Sequence, residues 1–299
     1  MPKKLLLSII VVLLITNIAS LLLLNRESKV AVDSNNQTFS AKDAVATVNG
    51  EEIIYVDWVN SLIDSSGKKE LETMIDREVV SQLANQYHIE VDEKVIQREI
   101  SLLTSMQGVM TEEEFKELEE GWRDDIIYRY QLEKLLTMDV SVSEEEIQQF
   151  YNTYGNQYNF TEAMQISHIL VEDMETAEKV KRELDQGASF TLLAKEYSMD
   201  EETRDNGGYI GFIHTNSQFF PNGYEDVAEG MNEYSYSEPF PVDDGVAIMY
   251  FHRKLPSIDF TYEEMKPYIE SELALQQLNQ SLSADPLWEQ LDIEWIYGR

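Results

Sequence analysis

The apolar residues of the chain follow three patterns, and the first is an uninterrupted run at the N-terminus. Residues 5–24 read LLLSIIVVLLITNIASLLLL, carry no charge, and follow Lys3 and Lys4. In a helix that rises about 1.5 Å per residue, this run spans the ~30 Å hydrocarbon layer of a bilayer. It continues past its only pair of small residues, which predicts an uncleaved signal anchor over residues 1–27, with a cleaved signal peptide as the alternative. Either prediction places the rest of the chain outside the cytoplasm.

The stretch after the anchor lacks apolar periodicity. Residues 28–43 are rich in Ser, Asn and Gln, which predicts a flexible tether. Apolar and polar residues then alternate around Asn49 and Gly50, the strongest two-residue turn signal. This pattern predicts a small hairpin, or a strand and turn that lead into a helix, at the start of the folded part.

The second pattern is that of amphipathic helices, with apolar residues three and four positions apart. One helix is predicted to include Leu71 to Leu83. Further helices are predicted at 92–106, 111–137 and 143–154. The last of these starts with a capping box, in which Ser143 is followed three residues later by Glu146. Residues 44–160 are therefore predicted to form an N-terminal helical region.

The third pattern begins near residue 162 and mixes strands with short helices. The segment 163–171, AMQISHILV, is predicted as a strand from its β-branched residues. Helices at 176–186 and 190–197, a break at Gly207 and Gly208, and strands at 209–213 and 246–252 follow. These elements predict an α+β domain over 164–254, in which helices surround a small mixed sheet. A last helix is predicted over 262–281, within a C-terminal segment 256–299.

Charge and composition exclude several functions. With 23 Lys and Arg against 56 Asp and Glu, the net charge is −33, so the chain lacks the basic surface that a nucleic acid requires. The absence of cysteine excludes disulfides, thiol catalysis, cysteine-based metal sites and a cysteine-linked lipid. The four histidines, at 88, 168, 214 and 252, have no metal-ligand spacing, and there is no nucleotide-binding or serine-hydrolase motif. Neither a metal nor a cofactor is expected.

The order of motifs between residues 165 and 254 is more specific than the composition. QISHILV, LAKEYSMD, GGYIGF, SQFFPNGYEDVA and SEPF follow one another as in the parvulin-type peptidyl-prolyl isomerase domain, which this segment resembles. The flanking segments VATVNGEEI and MIDREVVSQLA resemble exported foldases of the PrsA/SurA type. The resemblance implies that the parvulin-like domain is inserted between two segments of one mainly helical chaperone lobe, formed by residues 44–160 and 256–299.

The resemblance also implies a site. His168 matches the histidine of the first strand and Asp200 the Cys/Asp position, so both are expected to be catalytic. Phe219 and Tyr224 match the residues that contact proline, and Phe212 and Ile210 are assigned to the same substrate-binding surface.

Two positions depart from the pattern of the family. The second histidine is replaced by Ala247 and a threonine by Val242, so half of the expected polar network is apolar. In the loop after the first strand, Glu172 and Asp173 stand where phosphate-directed members carry a basic cluster, which argues against phosphorylated substrates.

The sequence therefore predicts a membrane-anchored extracytoplasmic folding factor. Its partners would be unfolded exported polypeptides with Xaa-Pro bonds, and its activity a weakened peptidyl-prolyl cis-trans isomerisation. The alternatives are a non-catalytic chaperone with a degenerate parvulin domain and an envelope adaptor that binds one fixed partner. The sequence leaves open whether the chain forms a homodimer.

Overall fold

The computed structural model describes residues 30–32, 37–278 and 281–298. The described residues divide into two compact units: those up to residue 76 together with those from 293 onward, and those between 77 and 292. The predicted anchor, residues 5–24, lies outside the described residues. Within the described ranges, no helix is both long enough and apolar enough to cross a membrane.

The first unit is built from short elements. They are β1 (Val30–Val32), β2 (Gln37–Phe39), β3 (Ala44–Val48), β4 (Glu51–Ile54), α1 (Tyr55–Leu62), a π-helical turn (Ile63–Gly67) and the start of α2 (Lys68–Tyr87). β1 and β2 pair within the segment predicted as a tether. The predicted hairpin is present as β3 and β4, and its turn residues Asn49 and Gly50 both have positive φ angles, 51° and 92°.

The second unit begins with four helical segments. They are the remainder of α2, α3 (Glu93–Ser105), α4 (Glu112–Thr137) and α5 (Glu144–Tyr154). The predicted capping box at Ser143 and Glu146 is present, and Thr111 with Glu114 forms a second one before α4. Each box satisfies backbone N–H groups that a helix start leaves without partners.

A five-stranded sheet follows these helices in the chain. Its strands are β5 (Ala163–Val171), β6 (Tyr209–His214), β7 (Ser235–Tyr236), β8 (Phe240–Val242) and β9 (Gly245–Leu255), and its helices are α6 (Met174–Asp185), α7 (Phe190–Tyr197) and α8 (Tyr224–Ala228). The strand order is β6-β5-β9-β7, with β8 also paired to β9.

The prediction of a mixed sheet is wrong, because every strand pair among the described residues of this sheet is antiparallel. α6 and α7 return the chain to the end of the sheet at which β5 finished, so Tyr209 at the start of β6 pairs with Ser167 near the end of β5. A parallel pair would need a connection that crosses to the opposite end.

The central strand β5 is covered on both faces. On one face, β5 and β9 pack against α6 and α7 through a cluster that includes Ile169, Val180, Leu193 and Ile248. On the other face, Met164, Ile166 and Met249 pack with Tyr224 of α8. Because both faces of β5 are packed against other elements, eight of its nine residues are buried.

The last helix, α9 (Tyr262–Leu278), packs against α4 and α5. Met265 and Ile269 of α9 are buried in one cluster with Val95 of α3 and Ile147 of α5. A helix that follows the sheet in sequence therefore completes the core of the helices that precede it.

Candidate active site

His168 is held by the backbone on both sides of β5. Its N–H donates to the carbonyl oxygen of Gly208 at 2.8 Å, and across the other edge it pairs with Met249 of β9. Side chains alternate between the two faces of a strand, so His168 shares the face of Met164 and Ile166, which is the face covered by Tyr224. His168 is 8% exposed.

The segment after α7 brings Asp200 to this histidine. Met199 donates its backbone N–H to the carbonyl oxygen of Leu170 at 2.7 Å, and the N–H of Leu170 donates to Ser198 Oγ at 3.2 Å. These two bonds fix residues 198–200 beside β5. Asp200 Oδ2 consequently lies 2.8 Å from His168 Nε2, although the two residues are 32 positions apart.

Hydrogen bonds keep Asp200 ionised. Burial raises the pKa of this carboxyl, but donation from Thr203, His168 and the backbone of Glu202 outweighs burial, so the pKa lies below its ordinary value. The hydroxyl group of Thr203 donates to Asp200 Oδ2 at 2.5 Å. Sequence reasoning missed Thr203, for which the only local signal is the spacing Asp-x-x-Thr.

Tyr224 occupies the other side of the imidazole. Its hydroxyl oxygen lies 2.6 Å from His168 Nδ1, and the residue is 2% exposed. Burial, and secondarily the charge of Asp200, raise the pKa of Tyr224 above its ordinary value. The sequence indicated Tyr224 only as a ring that contacts proline, so its hydrogen bond to His168 is an additional role.

His168 and Tyr224 line a pocket of about 340 Å³. Its other lining residues are Leu170, Gln218, Phe219, Phe220, Pro221, Asn222, Val242, Asp243 and Asp244. Phe219 is 77% exposed, so its ring is free to cover a ligand. The lining is mixed: Leu170, Phe219, Phe220, Pro221 and Val242 are apolar, and the other lining residues are polar or charged. A pocket of this volume can hold a proline ring with its neighbours.

The remaining predicted residues lie elsewhere. Phe212 packs against the cluster of Phe160, Ala163 and Leu255, and the structure does not bring it to this pocket. Ile210 packs against the cluster that contains Tyr224 but does not line the pocket. Ala247 is fully buried in that same cluster.

The described residues of the site include groups that can bind a ligand and polarise it, but none arranged as a metal centre or a nucleophile. Over the residues that the structure describes, no group of three or more His, Cys, Asp or Glu side chains converges in the manner of a metal site. His168 has both ring nitrogens hydrogen-bonded, and the lining residues include no cysteine or serine. Apolar side chains in a small pocket can bury part of a ligand, while fixed polar groups such as this histidine and carboxylate can orient it.

Comparisons with known proteins identify the family of this chain. A family model described as "Rotamase: PPIC-type PPIASE domain" matches residues 171–253. The chain is 34% identical over 260 residues to the "Putative peptidyl-prolyl cis-trans isomerase YacD" of Bacillus subtilis (strain 168), with 87% of each chain covered. It is 31% identical over 252 residues to the "Foldase protein PrsA" of Halalkalibacterium halodurans, covering 80% of this chain and 72% of that one. The crystal structure of PrsA from Bacillus cereus matches at 24% identity and a TM-score of 0.33, over 86% of this chain and 95% of that one.

The sheet domain is thus of the parvulin class. The chain belongs to the PPIC-type peptidyl-prolyl cis-trans isomerase family and is homologous to YacD and to the PrsA foldases. The resemblance predicted from the motifs is confirmed.

Proposed function

We propose that this protein is an extracytoplasmic folding factor whose parvulin domain isomerises Xaa-Pro bonds in unfolded exported polypeptides. The observation that carries the proposal is the position of His168, which is hydrogen-bonded to Asp200 and Tyr224 and lines a pocket of about 340 Å³ together with the apolar side chains of Leu170, Phe219 and Val242. The relatives named as isomerase and foldase support the same function.

The reaction requires no covalent step. Rotation about an Xaa-Pro bond has a barrier of about 18–20 kcal/mol because twisting removes amide resonance. A site accelerates it by binding the twisted state better than either planar state. Apolar walls formed by Leu170, Phe219 and Val242 hold the proline ring and exclude water, which otherwise stabilises the polar planar amide. His168 and Asp200 supply a fixed polar surface beside the twisting bond.

We expect this activity to be weaker than that of relatives with the complete polar network. Ala247 and Val242 replace two polar groups, and the loss of a single positioned group commonly costs about 10²-fold in rate. Such groups act together, so the two losses do not multiply. The hydrogen bonds that remain involve His168, Asp200, Thr203 and Tyr224.

Isomerase assays on the full chain test the proposal. With unphosphorylated Xaa-Pro peptides, we expect acceleration over buffer that falls at least tenfold in both His168→Ala and Asp200→Ala. His214→Ala and Asp205→Ala are the matched controls, because His214 is exposed and the carboxylate of Asp205 is 90% exposed. A wild-type rate equal to buffer, or equal losses in the controls, would refute a catalytic role for this site.

A second function, holding unfolded clients, is supported by the first unit. No large apolar side chain between residues 39 and 76 or between 293 and 298 is buried, and Trp58 and Leu62 of α1 are 40% and 49% exposed. Apolar side chains grouped on a surface commonly mark an interaction site. The chain should therefore suppress aggregation of an unfolded protein. Trp58→Ser with Leu62→Ser should weaken that effect without changing the isomerisation rate, while Asn60→Ser in the same helix should change neither.

Attachment to the membrane by residues 5–24, with the rest of the chain on the extracytoplasmic side, completes the proposal. It is supported by the length and apolarity of that run and by the positive charges before it. Fractionation of cells that produce the full chain tests it: extraction from membranes by detergent but not by high salt is expected, and release by salt would contradict it. Sedimentation of the full chain would show whether it forms a homodimer, which the sequence leaves open.

A further inference from the structure

The imidazole of His168 is held from two sides. Nε2 lies 2.8 Å from Asp200 Oδ2, and Nδ1 lies 2.6 Å from the hydroxyl oxygen of Tyr224. The ring of Tyr224 is itself fixed by an edge-to-face contact with Phe240, at 5.0 Å between ring centroids. His168 and Tyr224 are both buried, so neither hydrogen bond is exchanged freely for water.

The donor and acceptor properties of the three groups assign the protons. The carboxylate of Asp200 is kept ionised by its hydrogen bonds, so it only accepts, and Nε2 of His168 must carry a hydrogen. In a neutral imidazole Nδ1 then has a lone pair and accepts. The hydroxyl of Tyr224 keeps its proton and has no other hydrogen-bond partner among the described residues, so it donates to Nδ1.

The contact with Tyr224 lies in a site where one of the two departures from the family pattern is Ala247. Ala247 stands where the resemblance implies a second histidine, and it is fully buried in the cluster that contains Tyr224. With Ala247 at that position, the polar contact on the Nδ1 side of His168 comes from α8. The ring of Tyr224 packs in the apolar cluster beside the pocket, and its hydroxyl contacts Nδ1 of His168.

We propose that Tyr224 is a positioning residue for the isomerase site, which takes the place of the second histidine and holds His168 as the Nε2–H tautomer. The proposal rests on the proposed isomerase function. Tyr224 acts through His168, whose two ring nitrogens are both engaged. The imidazole therefore contributes a fixed orientation and dipole to the pocket and exchanges no proton with the peptide.

Kinetics on the full chain test this role. Tyr224→Phe keeps the ring and removes only the hydroxyl, so we expect kcat to fall about tenfold, the low end for a polar group in an active site, with KM nearly unchanged. Tyr250→Phe is the matched control, because its hydroxyl donates to the backbone oxygen of Tyr234 and does not contact His168. Equal rates for wild type and Tyr224→Phe would contradict the proposal.

A spectroscopic measurement separates this proposal from the proposed function. The chain has four histidines, so ¹⁵N-histidine labelling with His168→Gln for assignment gives a resolvable long-range ¹H–¹⁵N spectrum of the imidazoles. We expect His168 of the wild type to show one tautomer with hydrogen on Nε2, and Tyr224→Phe to show exchange between tautomers. A proton on Nδ1 in the wild type, or an unchanged spectrum in the variant, would overturn the proposal. A wild type with this tautomer but no isomerase activity would instead refute the proposed function.

Discussion

Gly208 lies against the backbone of His168 so closely that no other residue fits there. Its carbonyl oxygen accepts the N–H of His168 at 2.8 Å, and a Cβ at position 208 would lie 2.0 Å from the carbonyl oxygen of His168. Its φ of 78° is also in the left-handed region that favours glycine. The glycine after α7 thus sets the distance between β6 and the strand that carries the candidate active site.

Gly208→Ala is expected to destabilise the fold by more than about 3 kcal/mol, since both backbone segments would have to separate. Urea unfolding measures the change. The control is Gly187→Ala, where φ is 91° and a Cβ meets no atom within 4 Å. That variant should lose only about 1 kcal/mol, from backbone strain alone. Equal losses in the two variants would show that close approach is not the cause.

Thr203→Val should shift the acid side of the pH–rate profile. The hydroxyl of Thr203 donates to Asp200 and helps to hold the pKa of that carboxyl below its ordinary value. Ionised Asp200 is present above its pKa and is lost as the pH falls, so removing a donor moves the loss of kcat/KM to higher pH. The measurement is kcat/KM against pH for both forms. Thr153→Val, which removes a hydroxyl bonded to Gln149 in α5, should leave the profile unchanged.

His252 should make stability depend on pH. Burial lowers the pKa of His252 to about 4, from 6.5 in an ordinary histidine, and Nε2 lies 2.8 Å from Ser167 Oγ. Between these pH values the unfolded chain binds the proton and the folded chain does not. The stability from neutral His252 is therefore complete above pH 6.5 and is lost as the pH falls towards 4.

The free energy of unfolding should fall by roughly 3 kcal/mol between pH 6.5 and about 4 because of His252. His252→Gln keeps a hydrogen-bonding side chain but cannot titrate. Its stability in urea should fall less between pH 7 and pH 4 than that of the wild type. Parallel pH dependence of the two proteins would contradict the assignment.

The pocket should prefer a basic residue next to proline. Asp243 and Asp244 line it, no Lys or Arg is among its described lining residues, and Asn222 holds Asp243 by a hydrogen bond of 2.9 Å. A peptide with Arg before proline should exceed its phosphoserine counterpart in kcat/KM by at least about fivefold, equivalent to ~1 kcal/mol between solvated charges. The ratio should shrink in 1 M salt.

Asp244→Asn should reduce this ratio at low salt. Glu178→Gln is the control, because it removes one charge from α6, which packs on the opposite face of the sheet. A preference that survives in Asp244→Asn and in high salt would have a source other than these carboxylates.

The elements that were predicted correctly from the sequence are those that depend on interactions between neighbouring residues. The hairpin at Asn49 and Gly50, the capping box at Ser143 and the strand β5 were all predicted, because turn geometry, helix capping and β-branched residues act over a few neighbouring positions. The strands β7 and β8 were not predicted. Each has at most three residues and exists because it pairs with β9.

Some residues of the candidate site were named from the sequence, and some of their contacts were seen only in the structure. Motif order named His168 and Asp200 from the sequence, and it also named Phe212, which packs in a different cluster. The contact of Tyr224 with His168 has no sequence pattern, since it depends on where α8 packs on the sheet. The contact of Thr203 with Asp200 spans three positions and had only the weak local signal Asp-x-x-Thr. The sequence by itself determined the family and the residue types of the site. Tertiary packing decided that His168 shares hydrogen bonds with Asp200 and Tyr224, because a hydrogen bond requires separations below about 3.5 Å that residue spacing cannot specify across 32 or 56 positions.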